Sequence, residues 1–339
     1  MNHEIDLGKY QIRTDLAIEE INNQEIEGIT SNISYDENIK ITKVVVLKEG
    51  SINKKQGNYI TIEFEDITDY NNSKKIENVF SRELKKLLEK NDINENDSCL
   101  IIGLGNNKST PDALGPMAVE NVLVTNHLFM IGSVEEGFRR VSALAPGVMG
   151  QTGLETSEVV ISVVKSANPD FVIVIDALAS QSIERVNRTI QMTDAGINPG
   201  SGIGNNRKEI SKESIGKPVI AIGVPTVVDA ITIVSDTINF MHKHFSYSKQ
   251  NIDNPINRIL VTGPNYLKKD VVTDEEDKKM LLGVVGTLPD FEIRQLLFEV
   301  LTPIGYNLMV TPKEVDFVIE KISGVIGSGI NSALHKNVG

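Results

Sequence analysis

Two aspartates, Asp112 and Asp176, have the type and the setting to do chemistry. Asp112 follows the apolar run Cys99-Leu100-Ile101-Ile102, which reads as a buried strand, and the segment Leu104-Gly105-Asn106-Asn107-Lys108-Ser109-Thr110-Pro111. Gly103 and Gly105 permit a tight turn, Pro111 fixes the chain just before the aspartate, and Gly115-Pro116 suits a helix entry. Asp176 closes a second apolar run, Phe171-Val172-Ile173-Val174-Ile175, whose four β-branched members suit an interior parallel strand.

Both aspartates are thereby presented at the carboxyl edge of a sheet, where open α/β folds place ligands. Two carboxylates that meet there can share one proton. The ionised member draws a proton from water, and the protonated member gives one to a leaving amine. Like charges held close raise one of the two pKa values, so mild acid populates the singly protonated pair. Each aspartate alone could equally cap a helix or close a turn.

Positioning these groups falls to alternating strands and helices. Residues 41–47 and 59–64 read as strands, and 73–90 carries Ile76, Val79, Phe80, Leu84, Leu87 and Leu88 at helical spacing. A helix over 153–166 opens on a capping box of Thr152 and Glu155 and stops at Asn168-Pro169. Residues 186–192 and 218–222 read as further strands. A helix over 226–244 would have Thr226 as N-cap and Asp229 in its first turn. Residues 246–278, rich in Asn, Lys, Asp and Glu, read as a surface excursion, and 1–40 as a polar arm. A last helix starts at Pro312, with Thr311 and Glu314 as its box, and buries Val315, Val318, Ile319, Ile322, Ile326 and Ile330. Gly324, Gly327 and Gly329 weaken that helix unless another backbone packs closely there. The pattern predicts an α/β fold, a mixed sheet with helices on both faces.

Other constellations carry less. The loop Asn198-Pro199-Gly200-Ser201-Gly202-Ile203-Gly204-Asn205 could aim backbone N–H groups at an anion or an oxyanion, or be a plain surface loop. Asp194-Ala195-Gly196 resembles a pepsin-type triplet, but it occurs once, in a chain that reads α/β. A dinucleotide fingerprint starting at Gly103 fails because its third glycine falls on Lys108. Cys99 reads as a small buried residue, and His242 and His244 as surface residues near a helix end.

Composition narrows the class. The 339 residues are 40% hydrophobic and 5% aromatic, with no Trp, so the core is built from Ile, Val and Leu. The net charge of −12 argues against direct nucleic-acid binding. One cysteine excludes an intrachain disulfide and suits a reducing, cytoplasmic compartment. No stretch has the length of a membrane span, and the first ten residues are too polar for a secretory signal.

Four segments together resemble the germination proteases of spore-forming bacteria: 103–116, Val174-Ile175-Asp176-Ala177, the loop from Thr193 to Asn205, and Gly223-Val224-Pro225-Thr226-Val227-Val228-Asp229-Ala230. The resemblance covers nearly the whole chain. It implies an endopeptidase that degrades small acid-soluble spore proteins at germination, with Asp112 and Asp176 as its essential pair. It also implies a phosphorylase/hydrolase-like fold shared with hydrogenase-maturation endopeptidases, a homotetramer, and residence in the forespore and spore core. Gly105, Asn106, Gly200, Ser201, Gly202, Gly204 and Asn205 would then bind substrate or stabilise the oxyanion. Family members cut after an acidic residue and before a large apolar one followed by a small one. Asp15-Leu16-Ala17 repeats that pattern, which implies self-cleavage at Asp15–Leu16, a propeptide over 1–15 and one peptidase domain over 16–339.

The maturation endopeptidases hold a metal through two carboxylates and a histidine. No histidine of this chain falls at a matching third position, so the reading assigns no cofactor. Two other readings stay open: a metal-dependent maturation-type endopeptidase, and a non-catalytic module that holds a phosphate or peptide.

Overall fold

The computed structural model describes residues 14–21, 26–48, 50–132, 134–199, 208–250, 273–301 and 308–338. The chain divides into two compact units, 1–228 with 311–339, and 229–310. The second holds the helices Ala230–Gln250, Glu275–Leu282 and Asp290–Leu301. Most of the segment read as a surface excursion, 251–272, lies outside the described residues.

The first unit is organised by strands β1 (Ile29–Asp36), β2 (Ile39–Val46), β3 (Gly57–Glu63), β4 (Cys99–Gly103), β5 (Val141–Leu144), β6 (Phe171–Ser180), β7 (Thr189–Thr193) and β8 (Val219–Asp229). They lie in the order β1-β2-β3-β7-β8-β6-β4-β5. Neighbours from β1 to β8 run antiparallel, and β8, β6, β4 and β5 run parallel. The mixed α/β sheet expected from the sequence is present. Ile41, Ile62, Ile173, Ile175, Ile190 and Ile222 point to one face, where they join the helices Tyr70–Lys90 and Val315–Leu334 in the main core. On the other face Leu100, Ile102, Val172 and Val174 pack under the helix Thr156–Ala167. Val44, Val46 and Tyr59 pack there under the short helix Ala17–Ile21.

The structure corrects several local readings. β6 and β8 run well past Asp176 and Gly223, so Asp176 lies inside a strand rather than at its end. Thr226 is accordingly a strand residue, not an N-cap. Asp229 accepts the Thr232 N–H at 2.8 Å and does the capping. Neither expected capping box forms: Glu155 and Glu314 sit at the N-cap positions without a side-chain cap bond. Thr152 instead ends a separate short helix, and Thr311 donates to the Thr226 carbonyl at 2.9 Å. Asn168 closes its helix, as read, and does so in the left-handed conformation. The segment read as a polar arm contains β1, hydrogen-bonded along its length to β2.

The last helix meets another backbone closely, as expected, at Gly327 alone; at Gly329 a side-chain ring takes the space instead. A Cβ at Gly327 would overlap Asn121, and one at Gly329 would overlap Phe80, whereas Gly324 faces open space. Gly324→Ala should therefore stabilise the protein by up to about 1 kcal/mol. Gly327→Ala should destabilise it by about 1–3 kcal/mol through overpacking. Urea unfolding of the two variants beside the wild type measures both signs.

Candidate active site

Asp112 is set by the turn that follows β4. The Leu104 N–H donates to the Ile175 carbonyl at 2.8 Å, which carries the end of β4 alongside β6. Gly105 then adopts φ +118°, and a Cβ there would overlap the Asp112 carbonyl. That close approach lets the Asn106 N–H donate to the same carbonyl at 2.9 Å, folding the loop back so that Asp112 stands beside Gly105. From β8 the Thr226 hydroxyl donates to the Pro111 carbonyl at 2.6 Å and ties down the residue before the aspartate. Asp112 is half-buried.

Asp176 occupies the neighbouring parallel strand, one residue past Ile175, the register partner of Gly103. It is only 6% exposed, and its Oδ1 accepts the Ala177 N–H at 2.9 Å. Asp112, in the turn beyond β4, and Asp176, within β6, thus both lie just past the Gly103–Ile175 pair of adjacent parallel strands. Asp176 pairs with Gly223 of β8, and Gly223 with Gln191 of β7. Residues directly opposed in a sheet share a face, so Asp176 and Gln191 flank a glycine in one row, about 10 Å apart at the backbone.

Over this row lies the N-terminal segment, and the Asp15–Leu16 bond is inside the fold. The Asp15 N–H donates to the Ala179 carbonyl at 3.2 Å, and its Oδ2 accepts the Ala179 N–H at 2.9 Å. Leu16 and Ala17 are fully buried. Gln191 spans the bond: its Nε2 donates to the Asp15 carbonyl at 3.0 Å and its Oε1 accepts the Ala17 N–H at 2.8 Å. Lys54 Nζ donates to the Thr14 carbonyl at 2.6 Å. Burial depresses the Lys54 pKa, and the charges of Asp15, Glu20 and Glu19 oppose that shift. A cavity of about 370 Å³ adjoins the segment, with Ala221 and Gly223 on its floor and Lys54, Tyr59, Leu178 and Gln191 among its walls.

Gln191, Lys54 and the segment's partners are what the sequence reading missed. One signal was available: in Thr189-Ile190-Gln191-Met192-Thr193 the polar residues alternate with apolar ones on a strand where every residue is buried. A polar stripe on a buried strand face needs partners, and here the N-terminal segment supplies some of them.

The remaining candidates divide. Gly105 has a positioning task, as described. The Asn106 side chain accepts from the Lys108 N–H at 2.9 Å and from Gln151, which holds the turn. Gly200, Ser201, Gly202, Gly204 and Asn205 lie outside the described residues. Asp194 accepts from the Asn58 N–H at 2.7 Å and from the Asn91 side chain at 3.1 Å, a structural role. Cys99 is buried, and burial pushes its thiol pKa up, so it is no ready nucleophile. His242 is 9% exposed and bonds the Asp274 carbonyl at 2.9 Å, so it is a packed residue rather than a surface one. Among the described residues no three His, Cys, Asp or Glu side chains gather as a metal-holding group. Among them, too, no helix is long and apolar enough to cross a membrane.

Comparison with known proteins places this architecture. A germination protease from Geobacillus sp. (strain WCH70) is 51% identical, over 100% of this chain and 97% of its own length. One from Bacillus cereus (strain AH187) is also 51% identical over the same shares. A NiFe hydrogenase maturation protease, HycI from Thermococcus kodakarensis KOD1, aligns with 42% of this chain and 80% of its own at 18% identity and a TM-score of 0.28, a likeness that carries no argument. The family model described as germination protease matches residues 8–339, and the chain belongs to the germination protease family.

Proposed function

We propose that this chain is an endopeptidase of spore germination that degrades small acid-soluble spore proteins, and that it matures by cutting its own Asp15–Leu16 bond with Asp112, Asp176 and a water. The observation that carries the reading is the seating of that bond. Its carbonyl is held by Gln191, in the strand row that also carries Asp176.

The chemistry follows from the groups present. Asp112 and Asp176 share one proton, and the ionised member takes a proton from water as the water oxygen attacks the Asp15 carbonyl carbon. The carbonyl oxygen gains charge as the tetrahedral intermediate forms, and the Gln191 Nε2–H already points at it. When the C–N bond breaks, the protonated aspartate gives its proton to the departing Leu16 nitrogen, leaving a new carboxyl at Asp15 and a new amine at Leu16. On this reading the cleft accepts, after the cut, side chains of the size of the buried Leu16 and Ala17. The same cleft, once vacated, takes the spore-protein substrate. A homotetramer acting in the spore core is the assembly and place this reading carries with it.

Two measurements check the account. Intact-mass spectrometry of the purified chain at mildly acidic pH should show loss of residues 1–15 both with and without a chelator. Loss only in the chelator-free sample would favour the metal-dependent reading, and no loss in either would leave a non-catalytic binding module. Separately, Gln191→Met keeps the volume but removes both hydrogen bonds. It should slow self-processing by on the order of 100-fold. An unchanged rate in a folded Gln191→Met variant would remove Gln191 from the mechanism.

A further inference from the structure

The N-terminal segment is held through its main chain on both sides of the proposed cut. Ala179 of β6 takes the Asp15 N–H, and Gln191 of β7 takes the Asp15 carbonyl and the Ala17 N–H. One residue further upstream, the Thr14 carbonyl accepts from Lys54 Nζ at 2.6 Å. Lys54 belongs to no strand: it stands on the connection between β2 and β3. An ammonium donating to a carbonyl makes a charge-assisted bond, the stronger kind.

That connection is anchored on either side of Lys54 by groups outside the segment. The Ser51 hydroxyl donates to the Glu27 carbonyl at 2.8 Å. The Tyr59 hydroxyl donates to the Lys55 carbonyl at 2.9 Å, and Lys55 Nζ lies 2.6 Å from the Glu209 carboxylate. Lys54 is thereby presented on the wall of the cavity of about 370 Å³, although burial there penalises its charge. A cation kept at that cost needs an acceptor. Its flexible four-carbon stem and three rotatable donors suit a carbonyl whose exact position varies from one peptide to the next. Every peptide carries that carbonyl, so the contact sets affinity and register and reads no side chain.

The geometry points to Lys54 as a substrate-anchoring residue, which holds the main-chain carbonyl of the second residue before the bond to be cut. The inference rests on the protease reading above and adds to it a contact upstream of the cut. Thr14 supplies the carbonyl before maturation. The cut releases Thr14 with residues 1–15, and the corresponding carbonyl of a substrate takes its place.

The test uses the matured wild type and matured Lys54→Met with two peptides. One has the sequence of residues 10–21, and the other is identical except that sulfur replaces the Thr14 carbonyl oxygen, a weaker acceptor. Lys54→Met should raise KM for the first peptide roughly 10- to 100-fold with little change in kcat, as expected when one charge-assisted bond is lost from bound substrate. In the wild type the sulfur peptide should show a KM several-fold higher than the first peptide. In Lys54→Met the two peptides should be cut alike, a coupling to one substrate atom that a merely structural lysine would not produce. An unchanged KM in Lys54→Met, equal KM for the two peptides in the wild type, or the same sulfur penalty in both proteins overturns the anchoring role. If cutting at the Asp–Leu bond persists in those cases, the protease reading stands; if the wild type cuts neither peptide, both fall.

Discussion

The close backbone approach between the end of β4, Ile175 within β6 and the helix that follows is the constraint on which the site depends. A Cβ at Gly115 would overlap the backbone of Leu104 and press on the Ile175 carbonyl, and one at Gly103 would overlap the Gly115 carbonyl. Only bare glycines let the helix Leu114–Glu120 start directly on top of the end of β4 and Ile175 of β6. That contact fixes where the loop from Gly105 to Asp112 can go, and therefore where Asp112 stands relative to Asp176. A side chain at any of these points would separate the two aspartates without touching either.

A second consequence of small residues lies across β8. Gly223 and Ala221 leave the sheet's floor low between the helix Thr156–Ala167 on one side and the helix Ala17–Ile21 on the other. The gap is lined by strand residues whose polar atoms are not spent on the ladder, Gln191 above all. An extended peptide laid there finds backbone partners at Ala179 and side-chain partners at Gln191 and Lys54. In the proposed reading a substrate peptide would meet the same main-chain and side-chain partners that hold the N-terminal segment, the general means by which a peptide is read in register.

The two aspartates stood out as candidates because each is marked locally, Asp176 by the apolar run before it and Asp112 by the glycines and proline around it. The core strands and the two long helices were legible because periodicity is a local property. What escaped was nonlocal. Ala177-Leu178-Ala179-Ser180 has weak strand preference, and it continues β6 only because β8 runs alongside it. Gln191 meets a segment whose residues are remote in sequence, and no local pattern announces that pairing. The capping boxes failed for a similar reason: Thr311 found a partner in β8, and Thr152 found one in the Val148 carbonyl of its own short helix. The docking of residues 14–21 was the largest surprise, since a chain terminus is by default the least ordered part of a domain.

The most direct measurement is the rate of self-processing in Asp112→Asn and Asp176→Asn, followed by intact mass at mildly acidic pH beside the wild type. Circular dichroism and thermal unfolding of each variant establish that it is folded. The account predicts that both folded variants keep their full length while the wild type loses residues 1–15. Processing of either variant at the wild-type rate would contradict the proposed aspartate pair.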